Sequence, residues 1–190
     1  MDAIAALGIW GTETTFDRVH DEHGQLYVFR IPKLPAAEWI IATRNEGHLS
    51  YVPGLLLDDD RDRLMDAIED GDVTIDEIVQ ANRDVIETVS GWPWFSAGRL
   101  IGTLLAQWET VGGLLVLAGV DPESRSLGTV LSALYAKVCT EVDKETRSKW
   151  VSTIVTPPAE LMTGDKWDEE AAHAALLAMM AQGGGGIPDS

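Results

Sequence analysis

Cysteine occurs once in this chain, at Cys139, so no internal disulfide braces the fold. Burial has to hold it together, and 190 residues suffice to remove most apolar surface from water in a single domain. Cys139 itself falls on the apolar side of a helical pattern and reads as a small core residue in a reducing compartment. Positive charge is scarce as well, with 14 Lys and Arg against 31 Asp and Glu and a formal net charge of -17. Affinity for nucleic acid comes largely from Lys and Arg displacing condensed counterions, so binding to nucleic acid or to anionic lipid is disfavoured. The opening residues carry no basic stretch, and Asp2 argues further against a secretory signal. The chain is read as cytosolic.

Long apolar runs are equally rare. The exception spans residues 100–120, where Glu109 is the single charged residue, and it opens behind an aromatic cluster of Trp92, Trp94 and Phe95. A membrane, the protein's own core or a partner are the three possible covers. Its length suits a bilayer, roughly 20 residues. However, Gln107, Trp108 and Glu109 sit near its middle, and a central acid costs about 2.5 kcal/mol or more on insertion. The run is therefore read as one central helix, covered nearly all round, with Gly112-Gly113 a place for a bend or a close approach.

The remainder predicts a mainly α protein: a helical bundle with a short N-terminal β-hairpin, forming one domain over residues 1–182 and a flexible Gly-rich tail over 183–190. Residues 14–19 and 26–31 are rich in β-branched and aromatic types, and they flank a loop that turns at Gly24. Pro32 and Pro35 end the extended part, and Pro35 leads into a helix over 36–43. An acidic helix carrying Leu64, Met65 and Ile68 should stop at Gly71, and Thr74 with Glu77 spells a capping box for the next. There Ile75, Ile78, Val79, Ile86 and Val89 make an apolar stripe. Asp121-Pro122 reads as the start of a helix striped by Leu127, Val130, Leu131, Leu134 and Val138. A charged helix over 143–154 and a last one over 165–181 complete the series.

Motifs that would carry catalysis do not assemble. Asp58, Asp60 and Asp62 have calcium-loop spacing with Glu69 at the twelfth place, but Arg63 stands where the sharp turn needs glycine. Asp70-Gly71-Asp72-Val73-Thr74 spells an aspartyl-phosphatase nucleophile, yet a helix rather than a buried strand precedes it. His20 and His23 lack further metal ligands, and Ser96 follows Trp94 where a nucleophile elbow needs glycine. No catalytic, metal or cofactor residue is assigned, and the chain is read as a non-enzyme.

Several features taken together carry a resemblance. An acidic chain with an N-terminal hairpin, the passage Tyr27-Val28-Phe29-Arg30-Ile31-Pro32-Lys33-Leu34-Pro35 running into Ala36-Ala37-Glu38-Trp39-Ile40, and a helical remainder resembles the tail assembly chaperones of long-tailed actinobacteriophages. The likeness covers most of the chain through loose motifs. It implies a protein of the host cytoplasm that binds and solubilises the tape measure protein and helps to recruit tail tube subunits, with self-association possible. The glycine run at residues 183–186 fits the slippery site at which such genes often shift frame; a flexible tail explains it as well.

Aromatic residues dominate binding hot spots, so Trp92, Trp94, Phe95 and Trp108 are the candidate partner anchors, against the default that they are core. The alternative is an acidic inhibitor or nucleic-acid mimic that turns Asp58, Asp59, Asp60, Asp62, Asp66, Glu69 and Asp70 toward a basic protein.

Overall fold

The computed structural model describes residues 10–46 and 51–157. The expected helix over 165–181, the glycine run and the tail lie outside the described residues. The chain forms a mainly α bundle with a two-stranded antiparallel hairpin at its N-terminal end. Strand β1 (Trp10–Thr14) pairs with β2 (Phe29–Pro32), and a bulge between Trp10 and Thr12 falls at Gly11.

The first strand lies earlier than residues 14–19. Phe16 and Val19 are both buried, and a strand would point residues three apart to opposite faces. A turn closed by Val19 N–H donating to the Phe16 carbonyl at 3.0 Å puts both side chains into the core. The arms meet again at a bridge between His20 and Leu26, where Asp21 Oδ1 accepts from the amides of His23 and Gln25, each at 2.9 Å, and Gly24 supplies the left-handed φ of 76°.

Among the described residues eight α-helices follow: α1 (Ala36–Glu46), α2 (Tyr51–Leu55), α3 (Asp58–Glu69), α4 (Ile75–Ser90), α5 (Trp94–Ala106), α6 (Gly113–Leu117), α7 (Leu127–Glu141) and α8 (Lys144–Val155). Helices α4, α5 and α7 pack against one another, α1 touches α5 and α7, α8 lies on α5, and β1 leans on α4. Leu100, Ile101, Leu104, Leu131 and Leu134 are fully buried where the three central helices meet. Each such side chain contributes about 1.5–3 kcal/mol by leaving water.

The caps explain the boundaries. Thr74 and Glu77 form the capping box, with Glu77 N–H donating to Thr74 Oγ1 at 3.3 Å and Thr74 N–H to Glu77 Oε2 at 2.7 Å. The Glu77 carboxylate also accepts the Thr74 hydroxyl at 2.6 Å, and this bond, with the one from the Thr74 amide, holds its pKa below the ordinary value. Asp143 caps α8 through the amides of Glu145 and Thr146, and its bonds from Thr146 lower its pKa likewise.

Two further expectations are corrected. Asp121-Pro122 does not open α7, because the turn it forms is closed after one round by Arg125 N–H bonding to the Asp121 carbonyl at 3.0 Å. The carbonyls of Pro122 and Arg125 then accept from the amides of Ala37 and Ala36, at 3.0 and 2.8 Å, so this turn caps α1 while Ser126 caps α7. Residues 100–120 are likewise not one central helix. After α5 the backbone breaks at Gln107 (φ -124°, ψ 27°), and a π-helical turn (Trp108–Gly112) leads into α6, the limb lying 90° from α5. The break sits at the polar Gln107-Trp108-Glu109 rather than at the glycine pair. Among the described residues no single helix is long and apolar enough to cross a membrane.

Candidate protein-interaction surface

The four aromatic residues singled out from the sequence occupy two ends of α5. Trp92, Trp94 and Phe95 sit at its start, where Gly91 adopts a left-handed φ of 70° and Glu87 Oε1 accepts the Trp94 amide at 3.0 Å. Trp108 lies beyond its far end, roughly 20 Å away at 1.5 Å per residue. They do not make one cluster.

The first group is largely taken up by the fold. Trp92 Nε1–H donates to Ser132 Oγ at 3.3 Å, and its ring begins a ladder through Tyr135 (5.1 Å between centroids) to Trp150 (5.5 Å) that joins α7 to α8. Burial, together with the neighbouring Cys139, raises the Tyr135 phenol pKa. Trp94 is half-buried against the core, with the Arg83 guanidinium 4.6 Å over its ring and Phe95 set edge-on at 5.9 Å. Arg99 lies 5.6 Å over Phe95 and donates to the Thr153 carbonyl at 2.6 Å, which ties this corner to α8.

Trp108 differs. It is 46% exposed, its ring rests on Gly112, and on the same limb Val116 is 49% and Leu117 85% exposed. An added Cβ at Gly112 would stand 2.8 Å from the Trp108 ring, so glycine permits that seat. Leu117, read from the sequence as covered by neighbouring helices, is instead open to water. Its limb turns away from α5, while Val111 and Leu115 hold the limb to the core. Sequence reasoning missed Val116 and Leu117, although the polar break at residues 107–110 was the available sign that the apolar pattern could not continue on one axis.

The other motifs have structural uses. Ser96 is buried and donates through Oγ to the Ile154 carbonyl at 2.9 Å. Asp58, Asp59, Asp60 and Asp62 lie in the first turns of α3 rather than in a loop, and Asp60 accepts from the Tyr27 hydroxyl at 2.5 Å and the Arg30 amide at 3.2 Å. Burial and the Asp60 bond raise the Tyr27 pKa. Asp70-Gly71-Asp72 closes α3, with Asp72 N–H donating to the Ala67 carbonyl at 2.9 Å. Among the described residues no group of three or more His, Cys, Asp and Glu is placed to hold a metal ion.

Comparison with protein-family models, curated proteins and solved structures found no match.

Proposed function

We propose that the chain is a phage tail assembly chaperone that binds and solubilises the tape measure protein and helps to recruit tail tube subunits in the host cytoplasm. The observation that carries the reading is the turned-out limb holding Trp108, Val116 and Leu117 in water. An apolar surface on an otherwise acidic bundle suits capture of amphipathic helices, while the charge of -17 keeps the complex dispersed. Within this reading Trp108 is the leading anchor, joined by Val116 and Leu117. Trp92, Trp94 and Phe95 serve mainly to join helices.

Co-expression with the long helical tape measure protein tests the role. The expected result is a soluble complex with the native chain and an insoluble tape measure protein with the W108S/L117D variant. Equal insolubility with and without the native chain ends the proposal.

The acidic-mimic reading is favoured by α3, where Asp58, Asp59, Asp62, Asp66, Glu69 and the following Asp70 are exposed. Binding to a basic protein that collapses between low and physiological salt, and that is indifferent to W108S/L117D, selects that reading instead.

A further inference from the structure

One cleft of about 550 Å³ lies between the hairpin, the start of α1, the end of α4 and the 121–126 turn. Its charge is opposite to that of the chain. Among the described residues no Asp or Glu lines it, and Lys33 and Arg125 both do.

These cations are not engaged elsewhere. Neither side chain makes a hydrogen bond, ion pair or ring contact with any described residue. By contrast Arg18 donates to the Gly71 carbonyl, Arg61 to those of Pro53 and Leu56, and Lys137 and Lys149 pair with Glu141 and Glu145. Lys144 shares the freedom of Lys33 and Arg125 among the described residues and is exposed as they are, but it stands in the first turn of α8, away from the cleft.

The geometry is fixed by the backbone. Gly11, at the bulge of β1, approaches so closely that an added Cβ would stand 3.2 Å from Lys33 Cα. Arg125 is held by its own amide and carbonyl, which bond to Asp121 and to the Ala36 amide. Two cations thus belong to rigid backbone on separate segments of one cleft. Between them the walls are mixed: Trp39, 2% exposed, and Leu127 are apolar, while Thr88 and Ser126 carry hydroxyls.

We propose that this cleft is a binding site for a small organic anion, a carboxylate or phosphate monoester carried on an apolar body. The guanidinium of Arg125 and the ammonium of Lys33 take the anionic oxygens through charge-assisted hydrogen bonds, and the half-buried Leu34, Pro35 and Val89 cover the apolar part. A highly charged polyanion is unsuited, because the surrounding acid repels every charge beyond those the two cations neutralise. The site is independent of the chaperone reading and of the limb that carries it.

Amide chemical-shift titration of the full chain tests this with four probes: phenyl phosphate, 3-phenylpropionate, inorganic phosphate and uncharged 3-phenylpropanamide. The expected result is saturable shifts confined to residues 32–39, 88–89 and 124–127 with phenyl phosphate or 3-phenylpropionate, the stronger of the two identifying the anionic group. Inorganic phosphate and the amide should bind more weakly. R125Q and K33Q should each weaken the preferred probe about tenfold, the size of one charge-assisted hydrogen bond, while K144Q leaves it unchanged. The proposal is overturned if neither anionic probe gives saturable shifts at the cleft, if the amide binds equally well, or if the shifts spread alike to Lys144 and Lys149. Should a substituted chain fail to fold, the shift map of the native chain decides alone.

Discussion

Asn82, 1% exposed in the middle of α4, accepts the Val52 amide on its Oδ1 at 2.7 Å and so holds the start of α2 against the core. Its Nδ2 has no partner among the described residues, so the residue is kept for one bond. Asn82→Ala should leave a buried amide unsatisfied and lower stability by about 1–3 kcal/mol in urea unfolding. An unchanged midpoint would mean that water reaches Val52 freely.

Gly128 and Gly102 provide a paired test of close approach. A Cβ on Gly128 would lie 2.6 Å from the Ser90 carbonyl oxygen, whereas one on Gly102 meets nothing within 4 Å. Gly128→Ala is expected to cost about 1–3 kcal/mol, because α7 must move off the end of α4. Gly102→Ala, in an exposed helical position, should raise stability by about 0.5–1 kcal/mol. Thermal melts of the two variants therefore move in opposite directions.

The tryptophans separate in the same way. Trp92→Ala breaks the ladder to Tyr135 and Trp150 and should cost about 3 kcal/mol. Trp108→Ala, on the exposed limb, is expected to change unfolding free energy by less than about 1 kcal/mol. If Trp108→Ala unfolds the protein as readily as Trp92→Ala, the limb is core and not a surface for partners.

Glu77 gives the pH dependence a sign. Its folded pKa is lowered, first by the bonds from Thr74, so the unfolded chain binds the proton more tightly. The contribution is complete well above the ordinary glutamate value of about 4.5 and is lost as pH falls through the lower folded value. Glu77→Gln should thus be less stable than the native chain near neutrality, with the gap closing below about pH 4.5. A gap that widens with acid would contradict the capping box.

Local chemistry on contiguous residues decided a good part of this protein. The capping box at Thr74 and Glu77, the stop of α3 at Gly71, the turn at Gly24 and the stripe of α7 all follow from neighbours a few residues apart. Such signals need no tertiary partner. The mainly α class and the N-terminal hairpin follow from them.

Only the tertiary structure decided what distant segments do to one another. Asp121-Pro122 looks like a helix start until α1 claims the carbonyls of its turn, and Phe16 and Val19 look like strand until both are needed in one core. Residues 100–120 look like one rod because hydropathy counts side chains and not directions. The backbone turns 90° at Gln107, burying Leu100 and Leu104 on one limb and leaving Trp108 and Leu117 in water on the other. Lys33 and Arg125, 92 residues apart by number, line one cleft for the same reason: the sequence sets each charge, and the packing of the hairpin against the 121–126 turn sets their company.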